Sequence, residues 1–119
     1  MLVVDDEPGI CKALVRTLRS HEVVTMPSAQ DAMDLLARDT AFDAILCDLM
    51  MPGLSGMDLH RWLVDSHPAM SVRLCFMTGG AFTPAARDYL AHVDVVVIDK
   101  PFDARRVVQI VNERVVAAR

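Results

Sequence analysis

The stretch Ala44-Ile45-Leu46-Cys47-Asp48 indicates how the chain is expected to fold. It is a short, unbroken apolar run that ends in an acidic residue, and strands buried on both faces of a parallel sheet have this character. Similar runs lie on either side, at Leu2-Val3-Val4 and at residues 72–77. Two further runs occur at residues 22–26 and 95–98, so the sequence predicts five strands.

Helical patterns separate these runs. Ile10, Leu14 and Leu18 recur at the spacing of one helix face, and Pro68 is expected to end the third helical segment. Residues that favour the N-cap position precede the four later helical segments: Ser28, Ser55, Thr83 and Asp103. Five strands that alternate strictly with five helices predict a parallel sheet covered by helices on both faces.

Length and charge limit the classes of protein that fit. The chain has 119 residues without an evident linker, so residues 1–119 are predicted to form a single domain. Its 12 basic and 16 acidic side chains give a net charge of −4, which disfavours nucleic acid or an anionic membrane as the main partner. No apolar run approaches the roughly 20 residues of a membrane span, and the acidic start does not resemble a signal peptide.

The cysteines, the histidines and the tryptophan suggest no separate site. The cysteines are odd in number and lack zinc-site spacing, so we interpret them as small apolar residues in a reducing cytoplasm: Cys11, Cys47 and Cys75. The histidines lack ligand spacing and are predicted to be surface residues: His21, His60, His67 and His92. Trp62 is predicted to be partly buried.

Polar side chains stand where the predicted strands end. Asp5 and Asp6 follow the first strand, Asp48 the third, Thr78 the fourth and Lys100 the fifth. The ligand crevice of an open α/β sheet lies at that edge. Three converging carboxylates would repel one another, and a cation with a preference for oxygen ligands, Mg²⁺, would relieve this. A carboxylate nucleophile, a hydroxyl and an ammonium beside a cation suit phosphoryl transfer to an aspartate.

Four segments resemble the receiver domain of bacterial two-component response regulators. They are Val3-Val4-Asp5-Asp6-Glu7, Asp48-Leu49-Met50-Met51-Pro52-Gly53, Met77-Thr78-Gly79-Gly80 and Lys100-Pro101-Phe102, and the resemblance extends over essentially the whole chain. It implies a doubly wound, flavodoxin-like parallel sheet of five strands in the order 2-1-3-4-5. It also implies a signalling module whose self-catalysed phosphoryl transfer and hydrolysis are weak, rather than a metabolic enzyme.

The same resemblance implies a role for each residue at the strand ends. Asp48 would accept a phosphoryl group from the phosphohistidine of a histidine kinase or a phosphotransfer domain. Asp6, Asp48 and the backbone carbonyl of Met50 would bind Mg²⁺ directly, and Asp5 would act through water. Lys100 would contact the phosphoryl oxygens.

Thr78 would contact the same oxygens, and the bond between Lys100 and Pro101 would be a cis peptide. One position departs from the family. Where receivers usually carry Tyr or Phe as a rotamer switch, this chain has Val97, so the switch is expected in the loop of residues 78–84, where Phe82 is the nearest aromatic residue. Residues 77–87 are also similar to receivers that are fused to hybrid histidine kinases, so other domains could belong to the same chain.

Three alternatives stay open at this point. A Mg²⁺-dependent aspartyl phosphatase of the haloacid dehalogenase type would need a second Asp at the position of Met50. A flavin carrier would need a phosphate loop where the chain has Asp5-Asp6-Glu7, whose charges would repel a phosphate. A degenerate receiver that serves only as an interaction surface would not need the acidic pair, Asp48, Thr78 and Lys100.

Overall fold

In the computed structural model, which describes residues 1–80 and 83–118, the strands form one parallel sheet of five in the order β2-β1-β3-β4-β5. The strand order implied by the resemblance is confirmed. The strands are β1 Leu2–Val4, β2 Val24–Met26, β3 Ile45–Asp48, β4 Leu74–Thr78 and β5 Val96–Asp99.

Six helices lie within the described residues, one more than the sequence pattern predicted. They are α1 Pro8–Thr17, α2 Ala29–Leu36, α3 Gly56–Ser66, α4 Pro68–Ser71, α5 Pro84–Ala91 and α6 Ala104–Ala118. The additional helix is α4, a single turn of four residues. Pro68 ends α3 as expected, but its fixed φ also suits the first turn of a new helix. Because α4 occupies residues 68–71, β4 begins at Leu74, and Val72 is 68% exposed instead of lying in the strand.

The sheet divides the core into two separate clusters of buried side chains. Leu2 and Val4 point to one face, where α2, α3 and α5 pack, whereas Val3 points to the face covered by α1 and α6. The same alternation continues in β3, where Ile45 belongs to the first cluster and Leu46 to the second. Every residue of β1 and β3 is buried, as expected for central strands covered on both faces.

Side-chain caps begin the helices at the predicted positions. The hydroxyls of Ser28 and Thr83 accept hydrogen bonds from the N–H groups of the third helical residues of α2 and α5. Ser55 forms a reciprocal capping box with Asp58 at the start of α3. Asp103 accepts a hydrogen bond from Arg105 N–H at the start of α6. These caps fix where α2, α3, α5 and α6 begin.

The three cysteines are unpaired. Cys47 and Cys75 are buried, and burial raises the pKa of both thiols, so they act as the apolar residues that the sequence predicted. Cys11 is only half-buried. No helix in residues 1–80 and 83–118 has the length and apolar character needed to span a bilayer.

The prediction that all four histidines lie at the surface is wrong for His60. This residue is 6% exposed and lies on the buried face of α3, three positions before Leu63. Its ring packs edge-on against Phe76 of β4 and Tyr89 of α5, and its Nδ1 is hydrogen bonded to the Tyr89 hydroxyl. A partner 29 residues away satisfies the buried imidazole, and no local pattern in the sequence could indicate that contact. Trp62 is partly buried, as predicted.

We expect His60 to make the stability of the fold depend on pH. Burial lowers the pKa of His60 below its ordinary value of 6.5, so the unfolded chain binds a proton that the folded chain does not. The free energy of unfolding should therefore fall as the pH drops below 6.5 towards the lowered pKa. Urea unfolding at about pH 7.5 and about pH 5.5 should show a smaller loss for His60→Gln than for the wild type.

The control for this experiment is His92→Gln, which removes an exposed histidine at the end of α5. That variant should keep the pH profile of the wild type. Equal losses in the wild type and in His60→Gln would contradict the prediction.

Candidate functional site

The polar residues predicted from the strand ends meet at one edge of the sheet. Asp48 and Thr78 are the last residues of β3 and β4, Asp5 follows β1 directly, and Lys100 follows β5. Because all the strands are parallel, their carboxyl ends share this edge. The backbone N–H of Lys100 donates to the carbonyl of Thr78 at 2.7 Å, which joins the end of β5 to the end of β4.

Three carboxylates converge at this edge. Asp5, Asp6 and Asp48 each offer an oxygen that lies within 4.8 Å of the others. Asp5 is 1% exposed and Asp48 is 6% exposed, whereas Asp6 faces solvent. A set of carboxylate oxygens at this separation fits a hard divalent cation such as Mg²⁺, which prefers oxygen ligands.

Lys100 supplies the positive charge within the site. Its Nζ lies 2.9 Å from Asp5 Oδ2 and 3.5 Å from Asp48 Oδ2, so one ammonium bridges two buried carboxylates. Burial alone would lower the pKa of Lys100, but the hydrogen bond to Asp5 and the charges of Asp48, Asp5 and Glu7 outweigh it, and the pKa is raised. The ammonium therefore keeps its proton. The peptide bond between Lys100 and Pro101 is cis, as the resemblance implied.

Opposing influences act on the carboxyl group of Asp48. Burial raises its pKa, and the charge of Asp5 adds to this, while Lys100 and the backbone N–H of Met50 act in the opposite direction. The Met50 N–H donates to Asp48 Oδ1 at 3.4 Å. The net shift is upward, so a further positive charge at this edge would favour the ionised form that a nucleophile requires.

A cavity of about 260 Å³ opens beside these groups. Four predicted site residues line it, namely Asp48, Met50, Thr78 and Lys100, and so do Glu7 and Gly79. Thr78 is 2% exposed, and its hydroxyl oxygen accepts a hydrogen bond from Gly80 N–H at 3.2 Å. Asp6 lines a neighbouring cavity on the side of α1. The structure thus brings Asp5, Asp6, Asp48, Met50, Thr78 and Lys100 to one edge.

Two residues of this edge were given no role in the site from the sequence. Glu7 lines the cavity, and its place directly after Asp5 and Asp6 was a signal for it. Gly56 is the first residue of α3, and a Cβ on it would overlap the Asp48 carbonyl oxygen. Its N–H donates to the Leu49 carbonyl at 3.0 Å. The loop after Asp48 can therefore close onto α3 only at a residue without a side chain, and nothing in the sequence indicated this.

The expected switch region is described in part. Val97 is half-buried on β5 and packs against the same cluster as Phe76. Phe82, which we expected to be the aromatic residue of the switch loop, lies outside the described residues.

This combination of fold and site is that of a receiver domain of the response-regulator class. The family model of the response regulator receiver domain matches residues 1–112. The chain belongs to this family, and the resemblance seen in its motifs is confirmed.

Individual relatives agree with the family assignment. The chain is 33% identical to the response regulator protein FleR of Pseudomonas aeruginosa, over 93% of this chain but only 23% of that protein. It is 27% identical to the response regulator receiver protein CpdR of Brucella abortus, over 99% of this chain and 98% of that protein. A crystal structure of a response regulator receiver domain protein from Clostridium thermocellum matches with a TM-score of 0.84 and 25% identity, over 98% of this chain and 93% of that one.

We expect Gly56→Ala to disturb the site and the fold together. The new methyl group would meet the Asp48 carbonyl oxygen, which is backbone and cannot turn away as a side chain could. Overpacking of this kind costs about 1–3 kcal/mol, so the free energy of unfolding measured in urea should fall by that order.

Gly9→Ala is the matched control, because Gly9 also lies in the first turn of a helix and a Cβ there meets no atom within 4 Å. This variant should be neutral or up to about 1 kcal/mol more stable, since Ala favours the helical state. Equal destabilisation by the two substitutions would show that the close approach to Asp48 is not what Gly56 provides.

Proposed function

We propose that residues 1–119 form one receiver domain that takes a phosphoryl group onto Asp48. The donor is the phosphohistidine of a histidine kinase or of a phosphotransfer domain, the reaction requires Mg²⁺, and the domain changes conformation when Asp48 is modified. The observation that carries the proposal is the bridge formed by Lys100, whose Nζ lies 3.5 Å from Asp48 and 2.9 Å from Asp5. A protonated lysine beside a buried, acidic cavity suits charge that arrives on Asp48.

In the transfer step, a carboxylate oxygen of Asp48 attacks the phosphorus atom. A P–O bond to Asp48 forms, the P–N bond to the donor imidazole breaks, and its electron pair returns to the imidazole nitrogen. Lys100 can follow the negative charge onto the phosphoryl oxygens because it already lies beside Asp48. Thr78 lines the same cavity, and its hydroxyl can donate a hydrogen bond to one of these oxygens while its oxygen accepts from Gly80 N–H.

Asp6 is the direct ligand for Mg²⁺ in this proposal, together with Asp48 and the backbone carbonyl of Met50. Both carboxylate oxygens of Asp5 already accept hydrogen bonds, one from Lys100 and one from Glu7 N–H at 2.9 Å. This supports an indirect role for Asp5, which would contact Mg²⁺ through a water molecule. Asp6 is exposed, and no hydrogen bond to its carboxylate occurs within residues 1–80 and 83–118. When bound, Mg²⁺ would neutralise the carboxylates and polarise the phosphoryl group.

The partner set follows from this chemistry. The chain binds a phosphohistidine donor and, where it is part of a longer protein, other domains of the same chain. Nucleic acid and membranes are not direct partners, in keeping with the net charge of −4. Three unpaired cysteines support a reducing, cytoplasmic location. The module signals and is not a dedicated enzyme. A degenerate receiver is disfavoured because the chain keeps the acidic pair Asp5–Asp6 together with Asp48 and Lys100. The aspartyl phosphatase is disfavoured because Met50 stands where it would need a second Asp.

Phosphorylation should require Asp48. Incubation with acetyl phosphate and Mg²⁺ should add one phosphoryl group to the wild type, measured by intact-protein mass, and Asp48→Ala should gain none because the nucleophile is absent. Asp43→Ala is the matched control, since Asp43 is an exposed carboxylate near the other end of the same strand, and it should react as the wild type does. Phosphate uptake by Asp48→Ala would refute the assignment.

Mg²⁺ affinity should depend more on Asp6 than on Asp5. Calorimetric titration should show a loss of roughly ten-fold or more for Asp6→Asn, which removes charge from a direct ligand, and a smaller loss for Asp5→Asn. The metal-free Asp6→Asn protein should also unfold at a higher urea concentration, because carboxylate repulsion is relieved. Equal affinities in the two variants would contradict the assignment of Asp6 as the direct ligand.

A further inference from the structure

Few buried residues hold α5 in place. This helix of eight residues has a single fully buried side chain, Ala86, whereas α2, which has the same length and packs on the same face of the sheet, buries three. Tyr89 and Leu90 are the half-buried residues of α5 that contact the core. Apolar burial of one alanine contributes little, so the remaining contacts have a large share in positioning the helix.

His60 makes a polar contact between α5 and the core. The neutral imidazole and the Tyr89 hydroxyl share a hydrogen bond, and their rings meet edge to face at 5.7 Å. Arg61, the next residue of α3, places its guanidinium 4.8 Å from the centre of the Tyr89 ring. Burial lowers the pKa of His60 and raises that of Tyr89, so the pair stays uncharged near neutral pH.

The same imidazole also contacts the strand that leads to Thr78. Its ring lies 5.8 Å from the ring of Phe76, which stands two residues before Thr78 in β4. His60 therefore contacts both the strand that enters the Thr78 loop and the helix that leaves it. A side chain in this position resists any movement of α5 relative to β4.

We propose that the His60–Tyr89 hydrogen bond is a latch that holds α5 in its resting position, and that this latch opposes the phosphorylated conformation. The claim that the latch opposes the phosphorylated conformation rests on the proposed function. When the Thr78 hydroxyl donates to a phosphoryl oxygen it can still accept from Gly80 N–H, so Gly80 is drawn with it towards Asp48. The cap of α5 at Thr83 stands only three residues beyond Gly80. Because Val97 offers no large ring to move, the displacement reaches α5, and the latch must open.

Tyr89→Phe tests the latch directly, since it removes only the hydroxyl. Amide hydrogen exchange in α5 of the unphosphorylated protein should become about two- to ten-fold faster, the range expected for one neutral hydrogen bond. His60→Leu should produce the same change, and the double variant should add less than the sum of the two, because both remove one contact. Trp62→Phe is the matched control, an aromatic residue of α3 whose ring contacts His67 instead, and it should leave α5 unchanged.

The coupling is tested with beryllofluoride, a mimic of the phosphoryl group, in the presence of Mg²⁺. Because the latch favours the resting state, Tyr89→Phe should bind the mimic about two- to ten-fold more tightly than the wild type does. Unchanged exchange of α5 in Tyr89→Phe would overturn the latch. Faster exchange with unchanged or weaker binding of the mimic would overturn its coupling to Asp48. Failure of the wild type to bind the mimic at all would overturn the proposed function and the coupling, while the exchange result would still decide the latch.

Discussion

The ammonium of Lys100 is the charge on which the acidic edge of the sheet depends. Asp5 and Asp48 are almost fully buried, and two carboxylates held so close in poorly hydrated surroundings repel strongly unless a cation lies between them. Lys100 can fill this position only because the parallel order brings the ends of β1, β3 and β5 to one edge. The bond from its backbone N–H to the Thr78 carbonyl holds Lys100 at this edge.

The predictions from the sequence succeeded where a property repeats along the chain or follows from the direction of the strands. Apolar runs located every strand to within about two residues, and the capping residues Ser28, Ser55 and Thr83 marked the starts of three helices. The convergence of Asp5, Asp48 and Lys100 also required no contact information, because parallel strands place their carboxyl ends together. The elements and the meeting of the polar strand ends were therefore accessible from these patterns, and the strand order followed from the resemblance to receivers.

What the sequence could not reveal depends on distances between residues that are far apart in the chain. His60 stands three residues from both Met57 and Leu63 on the apolar face of α3, but its hydrogen bond joins it to Tyr89, which is 29 residues away, and only the packed helices define that contact. Gly56 is needed because of the position of the Asp48 carbonyl, which only the closed loop defines. The short helix α4 is a similar case, since Pro68 can end one helix or begin another, and the packing of Met70 decides between them.

The division of the core by the sheet has a consequence for how this protein can change over evolutionary time. The cluster beneath α1 and α6 and the cluster beneath α2, α3 and α5 have no side chains in common and are separated by the backbone of the sheet. Substitutions at well-separated positions of the two layers, such as helix residues on opposite faces of the sheet, should therefore have nearly additive effects on stability. Mutations can accumulate in the α1 and α6 layer while the layer that contains His60 and Tyr89 keeps its packing. The two faces of one small domain can thus diverge at different rates.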